Sequence, residues 1–346
     1  MSVVIINDST INTGLGRYAA DLSRATNSGL LSLNLDSSID PSKYPGEIIS
    51  YKRFMKISNG WYFSHRFPAI FLSNIKRQIR NKVNPSTILH YSSQVVPFLN
   101  LRNRYIYTVH DLFGLDKRFN QNPRLKSILE ANLKHIKGSE RIITVSKYVK
   151  SLLQRYGMHD RIDVIYPPIS SIFAPLENRF SLRRLLHLPE DKKLILSVSS
   201  QDPRKNLKAV IDTMQYLGDE YRLVRIGHPV GNCLSFNNVD DQQLNMIYNA
   251  CDVLLFPSLD EGFGYPLVEA MGVGLPVVAS DIPVFHEIAG NFAVLVDANP
   301  KKLAVAVKEA IENSYLYRQK GLELAKRYSY DHFRQCITDF LKQFEE

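Results

Sequence analysis

The chain has 346 residues, which is too long for one ordinary hydrophobic core and favours two domains. Its 45% apolar and 22% charged residues exclude a disordered or fibrous chain, and no apolar run approaches the roughly 18 residues of a transmembrane helix. The net charge of +9 is uneven, since residues 1–172 carry 24 Lys and Arg against 11 Asp and Glu, whereas residues 173–346 carry 19 against 23.

The first half of the chain alternates apolar strands with helical stretches, which predicts a parallel α/β sheet. The predicted strands are residues 3–6, 30–35, 88–91, 105–109 and 142–145, and the predicted helices are 14–25, 66–82, 123–136 and 147–155. Pro167 and Pro168 then remove donors from any strand ladder and force an extended chain. We therefore predict a hinge between two domains at this point.

A basic stretch lies within this half, over residues 43–82, where nine Lys and Arg accompany a single acid and several aromatic residues. Basic residues mixed with aromatics suit an anionic membrane surface or a nucleic acid, although a solvated helix face with ordinary core aromatics fits equally well. No nucleic-acid motif accompanies the stretch, so we expect contact with a membrane or a lipid-linked acceptor. The candidate residues are Arg53, Lys56, Trp61 and Arg66.

A second α/β series follows the hinge. Its predicted strands are residues 194–198, 222–226, 253–256, 277–279 and 292–296, and its predicted helices are 180–186, 207–217, 242–250, a short one opened by Pro266, 303–313, 315–328 and 331–344. The amino-terminal run 3–6 is too short for a signal peptide, and the three cysteines match no disulfide or zinc spacing. We therefore expect a cytoplasmic protein.

An acidic, glycine-rich loop follows the predicted strand 253–256. Gly262 and Gly264 lack Cβ atoms, so their backbone N–H groups can approach an anion, and Pro266 points a helix amino terminus at the same place. Ligands of parallel sheets bind at the carboxyl ends of strands, where this loop lies. Glu261 and Glu269 flank the loop, and acids beside a phosphate site suggest recognition of hydroxyl groups.

This stretch, E-G-F-G-Y-P-L-V-E-A-M-G-V-G-L-P-V-V-A-S-D from Glu261, resembles the E-x7-E signature of retaining glycosyltransferases of family 4. The resemblance implies the GT-B fold, with two Rossmann-like α/β domains facing each other across a donor cleft. It implies an acceptor-binding domain at residues 1–167, joined by a carboxy-terminal helix at 330–346 that crosses back to it, and a donor-binding domain at 168–329. The expected activity is transfer of a hexose from a nucleotide sugar to a glycan or lipid-linked hydroxyl, with retention of configuration.

The resemblance also assigns roles to side chains. Glu269 would bind the nucleotide ribose. The sugar and the departing charge would be bound by Glu261 together with the backbone of Gly262, Phe263 and Gly264. His110 would contact the sugar. Arg204 and Lys205, in S-S-Q-D-P-R-K-N-L, would hold the diphosphate. Cleaving a sugar from a nucleoside diphosphate leaves negative phosphates that cations and N–H dipoles must balance without a metal. No D-x-D metal motif is present, so we expect no metal site and no cofactor beyond a UDP- or GDP-linked substrate.

Two other interpretations stay open. Gly14, Gly16 and Ala19 spell G-x-G-x-x-A, and with Asp36 they match a dinucleotide fingerprint, which would make the chain an NAD-dependent oxidoreductase. Seven residues separate the first strand from Gly14, however, and this longer glycine loop is similar to the donor-binding loop of family 4. A GT-B-shaped binding protein without activity is the third hypothesis. The segment 233–239 stands where relatives have a glycine-containing turn, which leaves the identity of the nucleotide open.

Overall fold

The structure is a computed structural model that describes residues 2–9, 13–33, 68–119 and 123–344. The chain divides into two compact units. The first unit contains Met1–Pro168 together with Asp331–Glu346, and the second contains Ile169–Tyr330. The last helix therefore belongs with the amino-terminal part of the chain, although the second unit precedes it in sequence.

The first unit is built on a parallel sheet whose described strands follow the order β2-β1-β3-β4-β5-β6. Its strands are β1 Val3–Asn7, β2 Gly29–Ser32, β3 Ile88–Tyr91, β4 Tyr105–Val109, β5 Arg141–Thr144 and β6 Ile162–Val164. Its helices are α1 Gly14–Thr26, α2 Pro68–Ile79, α3 Pro123–Lys137, α4 Lys147–Arg155 and α12 Tyr330–Lys342.

The second unit is built on a parallel sheet with the strand order β12-β11-β10-β7-β8-β9. Its strands are β7 Lys193–Val198, β8 Tyr221–Ile226, β9 Cys233–Phe236, β10 Val253–Phe256, β11 Val277–Ser280 and β12 Val294–Val296. Its helices are α5 Arg179–Leu185, α6 Leu207–Leu217, α7 Asp241–Ala250, α8 Tyr265–Val273, α9 Pro283–Ala289, α10 Pro300–Glu312 and α11 Ser314–Ala325.

Four inner strands are buried along their whole length, as continuous apolar runs predict. Every residue of β1, β3, β10 and β11 is buried. In the second unit, β7, β8, β10 and β11 form one hydrophobic cluster with helices α6 and α10. Capping residues fix several helix starts, since Ser146 accepts a hydrogen bond from Val149 N and Asp240 accepts one from Gln243 N.

Three elements escaped the sequence prediction. Strand β6 has three residues and β9 has four, and both are edge strands, so neither shows the continuous apolar run of a central strand. The segment expected to replace a turn is in fact β9, which pairs in parallel with β8. Helix α9 is seven residues long and begins at Pro283, so its periodic pattern is too short to recognise.

Helix α8 ends at a glycine, and the two glycines near its end have different roles. Gly274 is the C-cap and has φ +72°, a left-handed conformation that favours glycine. Gly272 lies inside the helix, where a Cβ atom would come within 2.5 Å of Ile169 Cδ1 and 2.7 Å of the Phe173 carbonyl oxygen. Gly272 therefore allows α8 to pack directly against the segment that follows Pro168.

We predict that Gly272→Ala lowers the free energy of unfolding by about 1–3 kcal/mol, because the added methyl group overpacks a contact that includes backbone. Chemical denaturation measures this change in the free energy of unfolding for the second unit. Hydrogen exchange of the α8 amides measures it locally. Val305→Ala is the control, because this side chain is exposed on α10 and its truncation should cost far less. Equal stability of Gly272→Ala and the wild type would contradict the packing argument.

Candidate functional site

The carboxyl ends of β7 and β10 bring together the charged residues that the sequence pointed to in the second unit. These strands are neighbours in a parallel sheet, with Val253 opposite Ile195 and Leu254 opposite Leu196. The loops that follow them therefore leave the same edge of the sheet. Residues 199–206 follow β7, and residues 257–264 follow β10.

Lys205 and Glu261 meet across these two loops. The Lys205 ammonium donates a 2.5 Å hydrogen bond to Glu261 Oε1, and the two side chains are only 17% and 8% exposed. The ammonium also lies 5.7 Å from the centre of the Phe256 ring. An ion pair so shielded from water keeps far more of its Coulomb energy than a surface pair. Two loops that are 56 residues apart in sequence are thus joined by one contact.

Arg204 lies beside this pair on a short 3₁₀ turn, Pro203–Lys205. Its guanidinium bonds to the Asp202 carboxylate at 3.0 Å and lies 3.9 Å from Glu261 Oε2. Burial alone would raise the pKa of Asp202, but hydrogen bonds from Arg204 outweigh burial and the pKa is lowered. Arg204 and Lys205 precede α6, which begins at Leu207.

The amino terminus of α8 faces the same edge of the sheet. Gly264 is the N-cap with φ +95°, and a Cβ atom there would come within 3.0 Å of the Phe285 ring, so glycine is needed for conformation and for space. The Phe263 side chain is buried against the rings of Tyr265 and Tyr328. A contact between Phe263 and a ligand would therefore come from its main chain, as it would from neighbouring Gly262.

Glu269 lies one turn into α8 and is 2% exposed. Its Oε2 accepts a 2.8 Å hydrogen bond from the Tyr248 hydroxyl on α7. A carboxylate oriented by one hydroxyl donor can accept further hydrogen bonds from the vicinal hydroxyls of a ribose, because an ionised carboxylate has about four lone-pair sites. Tyr248 was not predicted as part of the site, since nothing in its helical sequence pattern marks it.

Two serines at the same sheet edge were also missed. Ser258 follows β10 and Ser280 ends β11, and both side chains are buried. Among the residues that the structure describes, neither hydroxyl has a hydrogen-bond partner. The available sequence signal was their position, since each is a polar residue directly after the apolar run of a central strand.

In the first unit, His110 directly follows β4 and is buried. Its Nε2 donates to the Ser92 carbonyl oxygen at 2.9 Å, and its backbone N–H donates to Gln94 Oε1 at 2.9 Å. The Tyr18 ring packs edge-on against the imidazole at 4.6 Å. Burial lowers the pKa of His110 to about 4, although the bond to Ser92 opposes this. His110 is therefore neutral at pH 7, with Nδ1 as its hydrogen-bond acceptor. Asp111 Oδ1 accepts a hydrogen bond from Phe113 N at 3.3 Å.

A second buried histidine lies next to this site. His90 on β3 bonds to the Thr108 hydroxyl at 2.8 Å, and the same hydroxyl contacts the Tyr18 hydroxyl at 3.0 Å. Burial lowers the pKa of His90 to about 3, and the nearby His110 contributes a smaller effect in the same direction. Tyr18, Thr108, His90 and His110 thus form a polar layer inside the first unit, with both histidines neutral.

The glycines of the amino-terminal motif lie in the first turn of α1. Gly14 is the first helical residue, and Gly16 donates its N–H to the Thr13 hydroxyl at 3.1 Å. The glycine-rich segment is therefore partly a capped helix start. Residues 10–12, which precede it, are not among the described residues.

Some of the predicted residues lie outside the described ranges. These are Asp36 and the four candidates for the basic patch, Arg53, Lys56, Trp61 and Arg66. Within residues 2–9, 13–33, 68–119 and 123–344, no group of three or more His, Cys, Asp or Glu side chains is arranged to hold a metal ion. In those same ranges, no helix has the length and apolar character needed to cross a bilayer.

Two family models match the chain in succession. The model described as Glycosyltransferase Family 4 matches residues 13–171, and the model described as Glycosyl transferases group 1 matches residues 178–331. Together they cover most of residues 13–331, and the second match contains Arg204, Lys205, Glu261 and Glu269.

Curated relatives and solved structures agree with these matches. The chain is 28% identical over 263 residues to the O-antigen chain mannosyltransferase RfbU of Salmonella typhimurium, covering 70% of each chain. It is 23% identical over 274 residues to the O-antigen chain mannosyltransferase B of Escherichia coli, again covering 70% of each. The crystal structure of Anabaena HepE in complex with UDP and glucose superposes with a TM-score of 0.78 at 15% identity, over 99% of this chain and 100% of that one. The last likeness shows a shared fold.

The buried histidines generate a prediction about pH. Their folded-state pKa values lie below that of an unfolded histidine, so the unfolded chain binds more protons as the pH falls below about 6.5. Stability should therefore be fully present above about pH 6.5 and decrease as the pH falls towards 4. Between pH 7 and pH 5 we expect each histidine to cost roughly 2 kcal/mol.

Hydrogen exchange of β3 and β4 amides at pH 7 and pH 5, corrected for intrinsic rates, measures this loss. In His90→Gln about half of the pH dependence should disappear, because one of the two titrating groups is gone. Protection that is independent of pH in the wild type would show that the histidines do not stay neutral in the folded state.

Proposed function

Because the chain belongs to glycosyltransferase family 4, we propose that it moves a hexose from a nucleoside-diphosphate sugar to a hydroxyl acceptor with retention of anomeric configuration. The observation that carries this proposal is the part-buried contact of Lys205 with Glu261, beside Arg204 and at the same sheet edge as the amino terminus of α8. The names of the curated relatives favour mannose as the hexose and a growing glycan, free or lipid-linked, as the acceptor.

The proposed chemistry follows from charge. When the bond between the anomeric carbon and the phosphate oxygen breaks, negative charge develops on the departing diphosphate. Lys205 and Arg204 supply two partly shielded cations, and the first N–H groups of α8 supply a positive helix end. In this arrangement the diphosphate is neutralised by the protein itself, and we propose that turnover needs no metal ion.

Glu261 has two parts in this scheme. Its carboxylate balances Lys205 and, through Oε2, lies within 3.9 Å of Arg204. A bound diphosphate would compete with Glu261 for the Lys205 ammonium, and the carboxylate would then be available to hydroxyl groups of the sugar. We propose that the backbone of Gly262, Phe263 and Gly264 completes this part of the donor site.

Glu269 and Tyr248 suit the other end of the donor. The Glu269 carboxylate is held by the Tyr248 hydroxyl at 2.8 Å, which orients it without neutralising its charge. We propose that it accepts hydrogen bonds from the two hydroxyls of the nucleotide ribose. A ribose diol matches an ionised carboxylate, because two donors meet two acceptor oxygens.

His110 suits a neutral sugar. Its Nε2–H is committed to the Ser92 carbonyl, so the ring can only accept a hydrogen bond at Nδ1. We propose that it accepts a bond from a hydroxyl of the transferred hexose. A carboxylate at the same position of the sugar, as in a hexuronic acid, has no proton to donate and would be disfavoured.

For the acceptor, the first unit is the proposed binding domain, with Gly14 and Gly16 close to donor and acceptor. The basic residues Arg53, Lys56 and Arg66 and the aromatic residue Trp61 are proposed to contact an anionic membrane surface that presents a lipid-linked acceptor. This part of the proposal rests on the sequence alone, in which basic and aromatic residues alternate over residues 43–82.

We predict that Lys205→Ala lowers kcat by about 100-fold or more, because it removes a cation that acts mainly on the charge developing in the transition state. Lys208→Ala is the matched control. Lys208 is three residues away, is 84% exposed and pairs with Asp212 on the surface of α6, so its loss should leave turnover unchanged. Steady-state kinetics with the best donor measure both variants, and unchanged turnover in Lys205→Ala would remove Lys205 from the mechanism.

The donor is tested by calorimetry against UDP, GDP and ADP sugars, including GDP-mannose and UDP-glucose. We expect one nucleotide to bind at least tenfold more tightly than the others, and NAD not to bind. Retention is tested by turnover of the best donor with acceptor extracts, in which NMR identifies the anomer of the product. The same assay in the presence of EDTA tests metal independence. Absence of binding to every nucleotide sugar would contradict the proposal.

A further inference from the structure

Arg225 is a wholly buried arginine near the carboxyl end of β8, with 0% exposure. Its Nε donates to the His228 carbonyl oxygen at 2.7 Å, and its Nη2 donates to the Ser199 carbonyl oxygen at 2.8 Å. Its Nη1 donates to the hydroxyls of Ser199 at 3.2 Å and Ser197 at 3.3 Å. One guanidinium is therefore bound by neutral oxygens from the end of β7, from the loop that follows it and from the turn after β8.

The acceptors of Arg225 are unusual for a buried cation. Across the described residues, no carboxylate forms an ion pair with it, and burial lowers its pKa. Arg183, which is also buried, pairs with Asp252 at 2.7 Å near the amino ends of β7 and β10. A buried charge without a counterion is costly unless its hydrogen bonds are fully made. Arg225 therefore depends on the exact placement of the Ser199 and His228 segments, and those segments depend on Arg225.

The two segments touch directly at Gly227. Its φ is +119°, and a Cβ atom there would lie 2.7 Å from the Ser199 carbonyl oxygen and 3.3 Å from Arg225 Nη2. Glycine is thus required by conformation and by space. Arg225 closes a contact between the loop that follows β7 and the turn that follows β8.

The loop after β7 is the one that carries Arg204 and Lys205. At its far end, the Arg204 carbonyl oxygen accepts a 2.7 Å hydrogen bond from Leu259 N, which ties it to the loop after β10. At its near end, Ser199 is held by Arg225. The segment 199–206 is therefore fastened to both neighbouring strands of β7, to β8 through Arg225 and to β10 through Leu259.

We propose that Arg225 is a positioning residue for the donor reaction: by holding Ser199, it fixes the loop that presents Arg204 and Lys205 to the diphosphate. This inference rests on the function proposed above. It also accounts for Ser199 itself, because the hydroxyl and the carbonyl of this residue both accept bonds from Arg225. Ser199 and Arg225 act as one unit, and loss of either releases the same end of the loop.

Hydrogen exchange in the free protein tests the positioning without a ligand. In Arg225→Lys the charge stays but the forked contacts are lost, and we expect amides of residues 200–206 to exchange at least tenfold faster while those of β10 are unchanged. Ser199→Ala, which removes a single hydroxyl, should give a smaller increase in the same segment. Arg183→Lys is the matched control, and it should lower the melting temperature without a selective effect on residues 200–206.

Kinetics with the best donor then test the consequence. A displacement of about 1 Å at a charged group can cost roughly 100-fold in rate, so we expect Arg225→Lys to lower kcat by about 10- to 100-fold with a smaller change in KM. Ser199→Ala should lower kcat less in the Arg225→Lys background than it does in the wild type, because the two substitutions remove the same contact.

Two results would overturn the inference. One is unchanged exchange of residues 200–206 in both Arg225→Lys and Ser199→Ala. The other is a loosened loop with unchanged kcat, which would leave Arg225 a purely structural residue. If the wild type shows no turnover with any nucleotide sugar, the proposed function fails, and the exchange experiment still decides whether Arg225 fixes the loop.

Discussion

The part-buried contact between Lys205 and Glu261 is the constraint on which the site of the second unit depends. Each charge would be costly in a shielded position without the other, so the loop after β7 and the loop after β10 must arrive together. Parallel pairing of β7 with β10 makes this possible, because it places the carboxyl ends of both strands at one edge. The apolar strands thus do more than fill a core, since their register determines where two loops from distant parts of the sequence place their charges.

The first unit uses buried polar groups in a different way. Tyr18, Thr108 and His90 form hydrogen bonds among β3, β4 and α1, and this group of side chains carries no charge, because both histidines are neutral. The Tyr18 ring packs against His110 on one side and against Phe333 of α12 on the other. The last helix of the chain therefore supports the residue that holds the His110 imidazole, which gives a physical reason for its return to the first unit.

The sequence predicted the central elements well because their signals are strong. The strands Ile88–Tyr91, Tyr105–Val109 and Val253–Phe256 and the helix Lys147–Arg155 were predicted with the bounds that the structure shows. The edge strands β6 and β9 were missed, since a short half-exposed strand lacks a continuous apolar run. Glu261, Arg204, Lys205 and His110 were selected by their place after predicted parallel strands together with the resemblance to family 4, because segments that follow parallel strands lie at one sheet edge.

The sequence could not predict which side chains are partners. Tyr248 is 21 residues from Glu269, and Arg225 is 26 residues from Ser199, and neither pair follows a helical or strand period. The protonation state of His110 could not be predicted from the sequence either. It depends on burial and on the Ser92 carbonyl, which contacts the imidazole only in the folded protein.

The two edges of the second sheet show how charge is divided between stability and function. Near the amino edge, the Asp252 carboxylate accepts hydrogen bonds from Arg183, Arg179 and the backbone N–H of Leu194, all at 2.7 Å. Its charge is therefore balanced within the protein. At the carboxyl edge, Lys205 keeps 17% of its side chain exposed and shares its partner Glu261 with Arg204. At the amino edge, two arginines and a backbone N–H thus occupy one buried carboxylate. At the carboxyl edge, the amino terminus of α8 adds its positive potential beside Arg204 and Lys205, so this edge can balance an anion such as a leaving diphosphate.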